Sequence, residues 1–297
     1  MNTLVQTNSE TARSASARPP YPPWWQIAAL ASLSFWLYGR TLAHLVSQWR
    51  HDPNFSHGFF VPLFSAFVMW QERGRLRHIA PKPAWPGQLI LAFALCILIV
   101  GQLGAELFLA RVSLLFLGAG LIVLFLGWKF LRALSFPLAF LLLMIPIPTI
   151  IFNQITFPLQ LLASRVAAAI LPLFSVPILR EGNVIILPSM ALEVAEACSG
   201  IRSLMSLVTL AVIYGYLVEK RLAIRWILAL GAIPISVVAN SVRIIGTGLL
   251  VQYWDPDKAQ GFFHLFSGWL IFVVSLVMLY LLHRVSRLLW PEKGGAS

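Results

Sequence analysis

The sequence predicts an all-α polytopic integral membrane protein with about eight transmembrane helices and an extracytoplasmic interfacial or re-entrant segment. Three observations predict it. Of 297 residues, 59% are hydrophobic and 11% charged, against roughly 25% charged in soluble domains. Mean hydropathy is +0.80. The apolar residues also come in long runs, many near the roughly 20 residues that one bilayer crossing needs, separated by short polar or basic connections.

Taken in order, residues 1–23 are polar and end in Arg18-Pro-Pro-Tyr-Pro-Pro. They read as a disordered cytoplasmic tail with an extended Pro-rich end. The apolar run that follows is long and shows no clear cleavage site, so it is expected to stay as an anchor. A membrane domain over 24–284 is expected next, with apolar runs near 24–45, 57–71, 85–104, 107–126, 132–152, 201–218, 226–250 and 265–283. The second run is short and fits a re-entrant segment as well as a crossing. Residues 155–178 are apolar too, but Pro158, Pro172, Pro177 and Arg165 interrupt them, so an interfacial or re-entrant helix is expected there. Gly182-Asn-Val-Ile-Ile-Leu-Pro188 reads as a short strand or extended loop. Residues 285–297 form a basic cytoplasmic tail. No internal repeat and no soluble domain is legible.

Charge sets the orientation. With the N-terminus inside, fourteen Lys and Arg fall on the cytoplasmic side and five outside. Arg111, Arg202 and Arg243 lie within spans. The positive-inside rule therefore places both termini in the cytoplasm, and this distribution accounts for the net charge of +11 without nucleic acid. The two cysteines, Cys96 and Cys198, sit in unlike contexts. Neither a disulfide framework nor a Cys/His metal cluster is expected, and no cofactor is called for.

The chemistry centres on Glu193-Val-Ala-Glu196-Ala-Cys198-Ser-Gly-Ile-Arg202. Cys198 immediately precedes an apolar run. At a helix N-terminus, unpaired N–H groups and the macrodipole favour a thiolate, and Arg202, four residues on, adds positive potential to the same face. A lone membrane cysteine is more often a buried structural one; the company it keeps decides. The topology brings Cys198, Arg243 and His264 to the outer end of three consecutive spans. Asn240, three residues before Arg243, shares its face. A guanidinium facing a bundle interior is a functional candidate, although one near a headgroup can snorkel. His57, in Phe55-Ser-His57-Gly58, is a rival base. Glu193 and Glu196 either position a substrate or simply stabilise a helix start. His44 and His51 read as extracytoplasmic loop or interface residues, and His78 and His283 as cytoplasmic ones. Thiol, imidazole and guanidinium together suit acyl transfer.

The blocks Glu-Ala-Cys198-Ser-Gly-Ile-Arg-Ser, Ala-Asn240-Ser-Val-Arg243 and His264 opening the last span resemble the exosortase/archaeosortase family. Phe55-Ser-His57-Gly58-Phe-Phe-Val-Pro62 resembles the family's N-terminal motif, and the likeness covers about 25–285. The resemblance implies a cysteine protease or transpeptidase of the bacterial inner membrane, active on its periplasmic side. Its substrates would be membrane-anchored proteins with a C-terminal PEP-CTERM-type sorting signal, often in bacteria that make exopolysaccharide. Cys198 would be the nucleophile, Arg243 the oxyanion or substrate-orienting cation, and His264 the acid/base. Water, or a glycan or lipid amine, would resolve the thioester. Arg202, Arg243 and Arg180 are candidates for holding the motif's glutamate. A non-catalytic membrane component of polysaccharide or lipid export is the alternative. A metal-dependent protease lacks its His-Glu-x-x-His.

Overall fold

Long apolar runs must satisfy their own backbone hydrogen bonds in lipid, which leaves helices as the economical solution. The computed structural model, which describes residues 24–194, 200–254 and 262–291, is built accordingly. Two compact units are distinguished, Met1–His44 and Leu45–Ser297. Helix α1, Trp24–His51, begins in the first and ends in the second. All candidate site residues belong to the second.

After α1, Asp52 caps a 3-10 helix over Pro53–Phe59, its side chain accepting from the Asn54 N–H at 2.9 Å. Helix α2 follows at Phe60–Gln71. Its 12 residues extend about 18 Å, well short of a hydrocarbon core of about 30 Å. A short α3, Arg73–Arg77, leads to the hairpin of α4, Pro86–Leu103, and α5, Leu107–Phe125. Glycines let these two backbones close up. A Cβ on Gly87 would lie 2.4 Å from the Leu124 nitrogen, and one on Gly120 would lie 3.0 Å from the Leu91 nitrogen. Without a hydrophobic force between helices in lipid, such close approach is what holds a pair together.

The run expected at 132–152 is not one helix. It divides into α6, Trp128–Ala133, α7, Ser135–Phe140, and a 3-10 turn over Leu141–Met144. Pro146 and Pro148 cause the break after Met144, because a proline drives the residue before it out of the helical region. Ile145 is accordingly extended, with ψ 116°. Conversely, 155–178 is less broken than its prolines suggest. Helix α8 is continuous over Thr149–Ile170 through Pro158. Arg165 is exposed while Ala163, Ser164 and Ala167 are buried, so the charge does not interrupt the packed face. Over Thr149–Phe174 this segment is long and apolar enough to cross a membrane, as are four other helices among the described residues. The all-α polytopic architecture stands, and these two stretches differ from expectation in where the chain breaks.

A small antiparallel sheet follows: β1, Leu179–Glu181, β2, Val184–Ile186, and β3, Ala191–Glu193, in that spatial order. The two-residue turn Gly182-Asn183 puts Gly182 at φ +63°, where a primed hairpin turn demands glycine. Three long helices complete the chain: α9, Gly200–Val218; α10, Leu222–Tyr253; and α11, Phe262–Leu289. Helix α10 packs against α9, α11 and α8, which makes it the centre of this half of the molecule.

Candidate functional site

The sheet is fixed by apolar burial. Ile185, Leu187, Leu192 and Val194 join Ala163, Ala167 and Leu171 of the α8 region and Ile244 and Val251 of α10 in one buried cluster. Polar contacts complete the seat: Ser164 Oγ donates to the Gly182 carbonyl at 3.0 Å, and Asn183 Nδ2 donates to Gln160 Oε1 at 3.3 Å. The strand that leads toward Cys198 is thus packed on Ile244, the immediate neighbour of Arg243.

Arg243 is buried, 5% exposed, ten residues before the end of α10, or about 15 Å along the axis. Its guanidinium lies against Gly268 of α11. A Cβ on Gly268 would be 3.3 Å from Nη2 and 3.6 Å from Cζ, so the absent side chain is what gives the planar group its room. Position 264 lies one turn before Gly268, and residues four apart share a helix face. Asn240, half-buried, is three residues before Arg243 on α10. The arrangement therefore brings Arg243 to the face of α11 on which position 264 lies.

The remaining predicted residues fall out differently. Cys198 and Glu196 lie outside the described residues, and for Arg202 and His264 the backbone alone is described, in the first turns of α9 and α11. Glu193 closes β3, exposed, opposite Val184 of β2. His57 is buried, and its Nε2 donates to the Leu143 carbonyl at 3.2 Å. Next to it, a Cβ on Gly58 would run into the Trp49 ring, whose Nε1 donates to the Met144 carbonyl at 2.9 Å. His57 and Trp49 together staple the 3-10 helix to the turn at Leu141–Met144, and the 3-10 helix in turn packs against α9. Cys96 is a free, exposed thiol on α4.

Two features escaped the sequence. Arg111 of α5 is 3% exposed, and its Nε has no hydrogen-bond partner. The spacing gave no sign of this, since α5 is almost uniformly apolar and shows no distinct inner face. The second is a polar knot at the far end of α9, α10 and α11. Glu219 is buried and accepts from the backbone N–H groups of Lys220 and Arg221, at 2.9 and 3.0 Å, and from Arg221 Nε at 3.3 Å. His283 Nε2 reaches its second oxygen at 3.4 Å, while Tyr214 Oη lies 2.8 Å from His283 Nδ1. Arg225 Nε donates to the Glu219 carbonyl, and Arg221 donates to that of Trp290. Burial raises the Glu219 carboxyl pKa, but the Arg221 backbone and side-chain donors, His283 and the Arg221 charge outweigh it and hold the pKa at about 2. The one legible signal was a lone acidic residue, Glu219, in the basic connection Glu219-Lys-Arg221.

A family model described as Transmembrane exosortase (Exosortase_EpsH) matches residues 49–281. No curated protein and no solved structure matches.

Proposed function

The chain belongs to the transmembrane exosortase family, and on that premise we propose that it is a cysteine protease or transpeptidase cleaving C-terminal sorting signals of exported proteins at the outer face of the bacterial inner membrane. The observation that carries the reading is the buried Arg243 guanidinium seated against Gly268, one helical turn from position 264, beside the sheet that feeds Cys198.

Each residue then has a task. Cys198, as thiolate, attacks the scissile carbonyl carbon, and the carbonyl π electrons move onto oxygen. Arg243, buried where water screens little, stabilises that oxyanion or orients the substrate. His264 gives its proton to the leaving amine as the C–N bond breaks. The acyl group remains on sulfur until water or an amine takes it and the thiolate departs. Asn240 and Arg202 supply hydrogen bonds and positive potential around the site, while Glu193 and Glu196 precede the nucleophile by five and two residues. We assign His57 a supporting role, on the ground that its Nε2 is engaged with the Leu143 carbonyl. A substrate anchored by a C-terminal hydrophobic segment arrives laterally through the bilayer, which fits a site built at the ends of membrane helices.

The test is co-expression with a tagged protein ending in a Pro-Glu-Pro motif, a hydrophobic segment and a basic cluster. The wild type is expected to shorten the tagged protein, and Cys198→Ser to leave it intact. Shortening that persists in Cys198→Ser would reject the thiol mechanism. No shortening by folded wild type, across several such tails, would favour a non-catalytic role in export.

A further inference from the structure

Strand β3 is one of the two edges of its sheet and the one that leads toward Cys198. Its pairing to β2 places Val184 opposite Glu193, Ile185 opposite Leu192 and Ile186 opposite Ala191. The Val194 N–H donates to the Asn183 carbonyl at 3.0 Å, and the Leu187 N–H to that of Met190 at 2.8 Å. In an antiparallel ladder, hydrogen-bonded and non-hydrogen-bonded pairs alternate. Ile185 and Leu192 are therefore the bonded pair, and the N–H and C=O groups of Ala191 and Glu193 turn away from β2. No fourth strand takes them among the described residues. Leu192 is buried between the helices while Ala191 and Glu193 are exposed. The sheet is thus anchored on one face and open at one edge, the arrangement that accepts an added strand.

We propose that the substrate segment around the scissile bond docks as a fourth strand on the open edge of β3, held by the backbone N–H and C=O groups of Ala191 and Glu193. This rests on the proteolytic reading above. The occupant follows from where the edge leads. Glu193 precedes Cys198 by five residues, a reach of at most about 18 Å, so a peptide on this edge lies within a few residues of the proposed nucleophile. The strand is held by packing on α8 and α10, the helix of Arg243, so peptide register and guanidinium share one support. A second copy of the chain is a poor occupant, because three residues of edge bury far less than the roughly 1,200 Å² of a stable protein interface.

The test uses the full-length protein in detergent and synthetic peptides spanning the cleavage site, each N-methylated at one successive backbone position. Losing a strand hydrogen bond and adding a methyl clash is expected to cut kcat/KM about tenfold or more at alternate residues, leaving intervening ones within about twofold. On the protein side, Ala191→Pro removes an outward N–H without touching the β2 ladder, a substitution that edge strands tolerate. It is expected to raise KM about fivefold with kcat nearly unchanged. If Ala191→Pro does not fold, the peptide series on the wild type decides alone. Equal sensitivity at every position, a folded Ala191→Pro with wild-type KM, or a dimer lost on that substitution would overturn the strand-docking proposal. Failure of the wild type to cleave any unmodified peptide would instead remove the proteolytic reading and the docking with it.

Discussion

A single missing side chain fixes the geometry around Arg243. The guanidinium occupies the space a side chain on Gly268 would need, and an Arg within a membrane helix costs about 3 kcal/mol to insert, so its seat has to be specific. Gly268→Ala brings a methyl to 3.3 Å of a flexible group, which can move by a few tenths of an ångström. We expect cleavage to fall about tenfold with the melting temperature nearly unchanged, as measured by thermal unfolding in detergent alongside the co-expression assay. Arg243→Lys keeps the charge and loses the planar fork, and kcat is expected to fall by about 10² or more. Equal activity in Arg243→Lys would show that only charge matters. Arg243 drew notice before the structure because a guanidinium within an apolar run is costly, and His264 because it opens the last span at the same expected outer end as Cys198 and Arg243. Gly268 did not, because one small residue in an apolar run carries no signal until the group it accommodates is known.

At the scale of elements, α9, which Cys198 precedes in sequence by two residues, is tied to α10 and α11, the helices of Arg243 and position 264, by the knot around Glu219. Tyr214 is on α9, Glu219 and Arg221 lie in the connection to α10, and His283 is on α11. A carboxyl whose pKa is depressed on folding stabilises the folded state at every pH above its unfolded value. That contribution is lost as protons bind, here between about 4.5 and about 2. The melting temperature in detergent is therefore expected to fall across that window, and Glu219→Gln to start lower and vary less through it. A variant with the wild-type pH profile would leave the knot without this role. The elements themselves were largely readable from apolar runs, and the exceptions have physical causes. Pro146 and Pro148 split one run because both fall where the chain must leave the helix. Pro158 did not split the next, since α8 gives up only one backbone donor there and keeps its buried face of Ala163, Ser164 and Ala167.

The whole molecule has two chemically distinct ends: a basic end built by Lys220, Arg221, Arg225, Arg284 and Arg287, and the end carrying the sheet and Arg243, which we propose does the processing. From the charge bias we propose that the basic end faces the cytoplasm. In a Cys96→Ala/Cys198→Ala background, Ser189→Cys in the β2–β3 connection is expected to react with a membrane-impermeant maleimide from the periplasmic side. Lys220→Cys should react only after the membrane is opened. The reverse pattern would place the chemistry in the cytoplasm and end the sorting reading. The central claim is an acyl group carried on Cys198, and it is tested most directly by the mass of the new C-terminus formed when cleavage runs in hydroxylamine. A thioacyl intermediate predicts a C-terminal hydroxamate with the wild type and no product with Cys198→Ser. A product bearing only the free carboxylate at saturating hydroxylamine, or any product from Cys198→Ser, would contradict it.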